Sequence, residues 1–136
     1  MPPEYLQPLL HSIEQAVIRL YEEMPYLLDK DVEFAYGKLE KYYSDLAKGK
    51  KVDEPDVVSD RKQAIIEEVL NVIDVREELN LDSMVINNPA NAGNVHYPSL
   101  PSLYVKAFKI LIPSVRTWRK RNGVKGYLNF VKDYIL

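Results

Sequence analysis

The chain has 136 residues and a formal net charge of −2. Its hydrophobic content of 46% and its charged content of 28% are typical of a soluble globular protein. This length predicts one domain over residues 1–136. It has no cysteine, which excludes disulfides and thiolate metal sites. The N-terminus lacks the basic start and apolar run of a signal peptide, and no apolar run could span a bilayer, so we expect a cytoplasmic protein without membrane contact.

Apolar residues at helical spacing predict a first helix over residues 4–24 and a second over residues 30–48. Asp29 is the expected N-cap of the second helix, and Gly49 is its expected stop. Phe34 falls on the otherwise polar side of this helix. An exposed aromatic ring there suggests a contact outside the helix pair.

The third predicted helix covers residues 59–79, with Ser59 or Asp60 as its cap. Its apolar arc is broad, so we expect the other helices to be placed around it. On the opposite side lies a row of carboxylates, called the acidic ridge below: Glu67, Asp74 and Glu78.

Residues 80–102 are unusual because they are rich in asparagine and proline and carry no charge after Asp82. These residues favour turns, which predicts a long neutral loop. A fourth helix follows over residues 103–121, with a kink expected at Pro113, and a short fifth helix ends the chain. The predicted fold is an all-α, single-domain bundle of four or five helices, with the neutral loop between helices three and four.

The carboxylates of the third helix do not form a convincing metal site. A magnesium site in a helical bundle needs paired carboxylates that converge from facing helices. The nearest spacing here joins Glu68 to the amide Asn71, and the acidic ridge points away from the apolar arc. His11 and His96 are isolated from other ligand types. We therefore predict no metal, no cofactor and no catalytic residue.

Arg76 falls inside the apolar arc of the third helix, close to the predicted loop. A buried guanidinium must reach a carboxylate, carbonyl groups or water. One interpretation is an internally paired arginine near a helix end. The other is an anion or ligand site covered by the loop, with Glu77 as a neighbour of Arg76. The candidate residues of that site are Arg76, Glu77, Asn87, Asn88, His96 and Tyr97.

Charge is distributed unevenly along the chain. Residues 1–82 have a net charge of −9, whereas residues 83–136 have a net charge of +7. Basic residues on the outer side of the fourth helix could bind a polyanion such as nucleic acid, although such a row is usually solvated surface. The candidates are Lys106, Lys109, Arg116, Arg119 and Lys120.

These patterns favour a non-enzymatic protein that acts through protein–protein contacts, either by forming a homo-oligomer, for which we expect a homodimer, or by binding an unknown protein partner. The basic row and the acidic ridge lie opposite their own apolar stripes, so we expect them to meet between molecules. One alternative is a polyanion-binding module that uses the fourth helix. A second is a small-ligand or nucleotide-processing enzyme with its site near Arg76 and the 80–102 loop.

Overall fold

The computed structural model describes residues 3–86 and 99–134, and in these ranges the chain is all-helical without a strand. A 3₁₀ turn at Glu4–Leu6 precedes six α-helices: α1 (Gln7–Glu23), α2 (Asp29–Ala47), α3 (Asp60–Glu78), α4 (Leu81–Ile86), α5 (Leu100–Asn122) and α6 (Gly126–Tyr134). The all-α prediction is confirmed for these ranges, whereas the predicted number of four or five helices is too low, because α4 was not expected. None of the described helices is long and apolar enough to cross a bilayer.

The predicted bounds of the loop, residues 80 and 102, are both wrong. Leu81–Ile86 forms α4, and α5 begins at Leu100 rather than at Leu103. Pro101 is compatible with this earlier start because the first turn of a helix does not need its N–H. The helix then continues through Pro113 to Asn122.

The start of α2 also differs from the prediction. Leu28, not Asp29, is the N-cap, and Asp29 is the first helical residue. The carboxylate of Asp31 accepts a hydrogen bond from the Leu28 N–H at 3.1 Å, which satisfies an otherwise free donor at the helix start. For α3 the first of the two predicted caps is confirmed, since the Ser59 hydroxyl accepts the Lys62 N–H.

The largest helix pair is formed by α2 and α5. Buried aromatic rings join the two helices, with centroids 5.6 Å apart for Tyr36 and Phe108 and 4.9 Å apart for Tyr43 and Tyr104. α2 also packs on α3 and α6, whereas α1 packs mainly on α3. α3 packs on α1, α2 and α4, so α2 and α3 both have neighbours on several sides in the described bundle.

The start of α6 is held by the start of α2. The fully buried carboxylate of Asp29 accepts a hydrogen bond from the Tyr127 N–H at 3.2 Å, and the Asp29 N–H donates to the Val124 carbonyl at 3.1 Å. Burial raises the pKa of Asp29 to about 6, although hydrogen bonds from the backbone of Tyr127 and Leu128 and the charge of Arg119 oppose this shift. A buried acid thus fixes the position of α6.

Candidate functional site

A basic concavity lies between the first half of α2 and the second half of α5, with a volume of about 540 Å³. Its lining contains a single carboxylate, Glu33, and the exposed ring of Phe34. The cationic side chains that surround them come from both helices: Lys30, Lys38, Lys41, Arg116 and Arg119.

A second concavity, of about 290 Å³, lies between the last turns of α2 and the start of α5. Lys48, Lys106 and Lys109 line it together with Ser44 and Ser102, and its lining contains no carboxylate. The first half of α2 therefore faces the second half of α5, and the second half of α2 faces the first half of α5. The two helices are antiparallel.

The two concavities lie on one continuous surface. The α2 residues that line them recur every three or four positions from Lys30 to Lys48, and so do the α5 residues on either side of the middle of that helix. Such spacing keeps side chains on one face of a helix. We call this surface the basic seam, and define it by its eight cations: Lys30, Lys38, Lys41, Lys48, Lys106, Lys109, Arg116 and Arg119.

Glu33 is already neutralised within the basic seam. Its Oε1 atom accepts a hydrogen bond from Arg116 Nε at 2.6 Å, and its other oxygen forms an ion pair with Arg119. These contacts hold both guanidiniums beside the first concavity. Because the arginines carry two positive charges against one carboxylate, the cluster keeps a positive charge that faces solvent.

Phe34 lies among cations rather than beside other apolar groups. Its side chain is 41% exposed, and the ammonium groups of Lys62 and Lys38 lie 4.4 Å and 5.5 Å from the ring centroid. Such distances allow cation–π attraction. The ring thus offers an apolar contact point that is surrounded by positive charge.

The structure brings together four of the five basic residues that the sequence proposed on the fourth helix. Lys106, Lys109, Arg116 and Arg119 line the concavities, whereas Lys120 is exposed but lines neither of them. Sequence reasoning missed the α2 half of the surface. The signal was present, because Lys30, Phe34, Lys38 and Lys41 recur at helical spacing on the polar side of the second helix.

Arg76 is buried, as its place in the apolar arc predicted, and it is paired internally. Its Nε donates to Asp82 of α4 at 2.8 Å, and its Nη1 donates to Ser12 of α1 at 3.0 Å. The Tyr104 hydroxyl lies 2.8 Å from Glu77 and 3.2 Å from Asp82. This network connects α1, α3, α4 and α5. Arg76 is therefore paired within the protein, as the first of the two interpretations expected.

Of the other members of the candidate ligand site, only Glu77 lies within the described residues. Asn87, Asn88, His96 and Tyr97 lie outside the described residues. Glu77 does join the Arg76 network, through Tyr104. Within the described ranges, no group of three histidine or carboxylate side chains is arranged to hold a metal ion.

Comparison with known protein families, with curated proteins and with solved structures finds no match for this chain.

Proposed function

We propose that this protein acts through protein–protein contacts, and that the basic seam binds an acidic segment of its partner. The observation that supports this proposal is the arrangement of eight cations from two helices along one face. Glu33 is already paired with two arginines, and Lys41 is paired with Asp45 at 3.1 Å. The other five cations form no ion pair with a described residue: Lys30, Lys38, Lys48, Lys106 and Lys109. An acidic partner would supply the negative charges that the surface lacks.

The dimensions of the basic seam suit a short segment. Lys30 and Lys48 are separated by 18 residues of one helix, which corresponds to about 27 Å at about 1.5 Å per residue. A partner helix of similar length, or about eight residues of extended chain, would cover it. We expect this segment to carry a carboxylate on each turn and one apolar side chain that packs against Phe34.

A protein partner fits the surface better than nucleic acid does. Proteins that bind single strands combine positive charge with several aromatic rings on which bases stack, and the linings of the two concavities contain Phe34 as their aromatic residue. The chain as a whole is acidic, with an isoelectric point of about 5.7, so its remaining surface would repel a long polyanion.

A second copy of the chain is one partner with the required chemistry. The acidic ridge of α3 consists of exposed carboxylates that recur along one helical face. Its contact with the basic seam of another copy would form a homo-oligomer. Sedimentation equilibrium at low salt tests this version. A monomer at every concentration rules out self-association and leaves a different acidic protein as the partner.

Fluorescence anisotropy separates the two classes of partner. One probe is a labelled helical peptide of about 18 residues with a glutamate on each turn and a single leucine. The other is an oligothymidylate of similar total charge. We expect the peptide to bind more tightly and to weaken as salt is added. Tighter binding of the oligothymidylate would favour the polyanion alternative, and no binding of either probe at low salt would refute the proposed surface.

A further inference from the structure

A separate cavity of about 270 Å³ lies between α1 and α5 and shares no lining residue with the basic seam. Its apolar wall consists of Leu10, Ile110 and Leu111. α1 and α5 make few direct contacts with each other, which leaves space between them. An engineered apolar cavity of about 150 Å³ holds a benzene ring, so this volume is sufficient for a compact organic molecule.

The charged group of the cavity is Glu14, which is half-buried. Its carboxylate accepts a hydrogen bond from the Tyr127 hydroxyl, and it forms no ion pair with any described residue. Burial raises its pKa, while the Tyr127 hydroxyl and nearby His11 oppose this shift. A carboxylate in this environment lacks the counter-ion that would offset its loss of hydration.

Beside Glu14, the hydroxyl of Ser114 favours a ligand that donates hydrogen bonds. The hydroxyl of Ser114 donates to the carbonyl of Ile110 at 2.9 Å, so the oxygen has only lone pairs left to offer. Gln7 and His11 are exposed lining residues, and their side chains carry both donor and acceptor atoms. An ammonium group has three donors and no acceptor, which matches the acceptor atoms of Glu14 and Ser114.

We propose that the cavity between α1 and α5 is a binding site for a compact primary amine. Its ammonium group pairs with the Glu14 carboxylate and donates to Ser114, while its hydrocarbon part lies against Leu10, Ile110 and Leu111. The site is independent of the basic seam. The two surfaces select opposite charges, so an acidic peptide and an amine bind to different faces of the same molecule.

Benzylamine is a suitable probe, and benzyl alcohol is its neutral counterpart of nearly equal size. Titrations followed by methyl NMR should show saturable shifts centred on Leu10, Ile110 and Leu111. We expect benzylamine to bind at least about tenfold more tightly than benzyl alcohol. Glu14→Gln keeps an acceptor for the Tyr127 hydroxyl but removes the charge, and it should reduce benzylamine binding by a similar factor.

Glu23→Gln is the matched control, because Glu23 is an exposed acid on the same helix that does not line the cavity. It should leave the affinity for benzylamine unchanged. Equal binding of the amine and the alcohol to the wild-type protein would overturn the proposal without any variant, as would shifts that do not centre on the cavity. Unchanged affinity in a folded Glu14→Gln protein would overturn it as well.

Discussion

The Oδ2 atom of Asp29 in α2 lies 3.2 Å from the backbone nitrogen of Tyr127 in α6, and the Asp29 side chain is fully buried. Burial raises its pKa to about 6, whereas an aspartate in an unfolded chain has a pKa of about 3.9. The native protein therefore binds an additional proton between about pH 4 and 6. Protonation of Asp29 therefore stabilises the native protein fully below about pH 4, and this stabilisation is lost as the pH rises through about 6.

Asp29→Asn should remove this pH dependence. We expect the wild-type protein to lose up to about 3 kcal/mol of unfolding free energy, relative to the variant, as the pH rises from about 4 to 7. Asparagine keeps an oxygen that can accept the Tyr127 N–H, so α6 should remain in place. Urea unfolding of both proteins across this range measures the difference. If the unfolding free energies of the two proteins changed with pH in parallel, the pKa of Asp29 would be the same in the folded and unfolded states.

Arg76 and Asp82 form a buried pair, with 2.8 Å between Nε and Oδ1. Arg76→Met leaves the Asp82 carboxylate buried without its cation, which should destabilise the protein by about 3–5 kcal/mol. The double variant Arg76→Met with Asp82→Asn should lose less than the sum of the two single variants. Chemical unfolding of the four proteins gives this coupling energy. Additive effects would mean that the two side chains do not stabilise each other.

Gly126 lies where α6 approaches α5. A Cβ atom at this position would be 2.6 Å from Asn122 Cβ and 2.7 Å from Trp118 Nε1, so Gly126→Ala forces one of the helices to move. We expect a loss of about 1–3 kcal/mol of stability and a red shift of the fluorescence of Trp118, the single tryptophan of the chain.

Gly37→Ala is the matched control, because a Cβ at Gly37 meets nothing within 4 Å. Inside α2 this change should raise stability by about 0.5–1 kcal/mol, since alanine favours a helix over glycine. An equal response of the two variants would contradict the close contact between α5 and α6.

Glu33 neutralises part of the positive charge of the basic seam through Arg116 and Arg119. Glu33→Gln should therefore tighten binding of the acidic helical peptide several-fold. The Glu33 side chain is 18% exposed and its partner Arg119 is 28% exposed, so urea unfolding should accompany the binding measurement to show that the variant remains folded. Glu22→Gln, which removes a carboxylate paired with Lys132 elsewhere, controls for the change in net charge. Weaker binding in Glu33→Gln would contradict the assigned role of Glu33.

The sequence predicted the long helices and the burial of Arg76 because each depends on the spacing of apolar residues within one segment. It did not predict α4, since six residues are too few for a helical period to be recognised. The identity of Asp82 as the partner of Arg76 depends on α4 and was therefore missed as well.

Only the α5 half of the basic seam could be predicted from the sequence. Helical spacing indicates which face of a helix is buried, but it does not indicate which other helix covers that face. The outer row of α5 was visible from the sequence. This row lies beside the lysines of α2 because α2 and α5 pack antiparallel. That packing depends on contacts between the two helices, such as that of Tyr43 with Tyr104.

Binding of an acidic protein segment is the central property proposed for the basic seam. Lys38 and Lys109 line its two concavities, and neither forms an ion pair with a described residue. The variant Lys38→Glu with Lys109→Glu therefore reverses charge in both halves of the surface. Arg19→Glu with Lys51→Glu makes the same change in net charge at exposed residues that line neither concavity.

The most direct measurement is the dissociation constant of the acidic helical peptide for these two variants and the wild type, determined by calorimetry at low salt. We expect the Lys38 and Lys109 variant to bind at least about tenfold more weakly than the wild type, and the Arg19 and Lys51 variant to bind within about twofold of it. Equal weakening in both variants would mean that the peptide responds only to net charge, which would contradict a defined binding surface between α2 and α5.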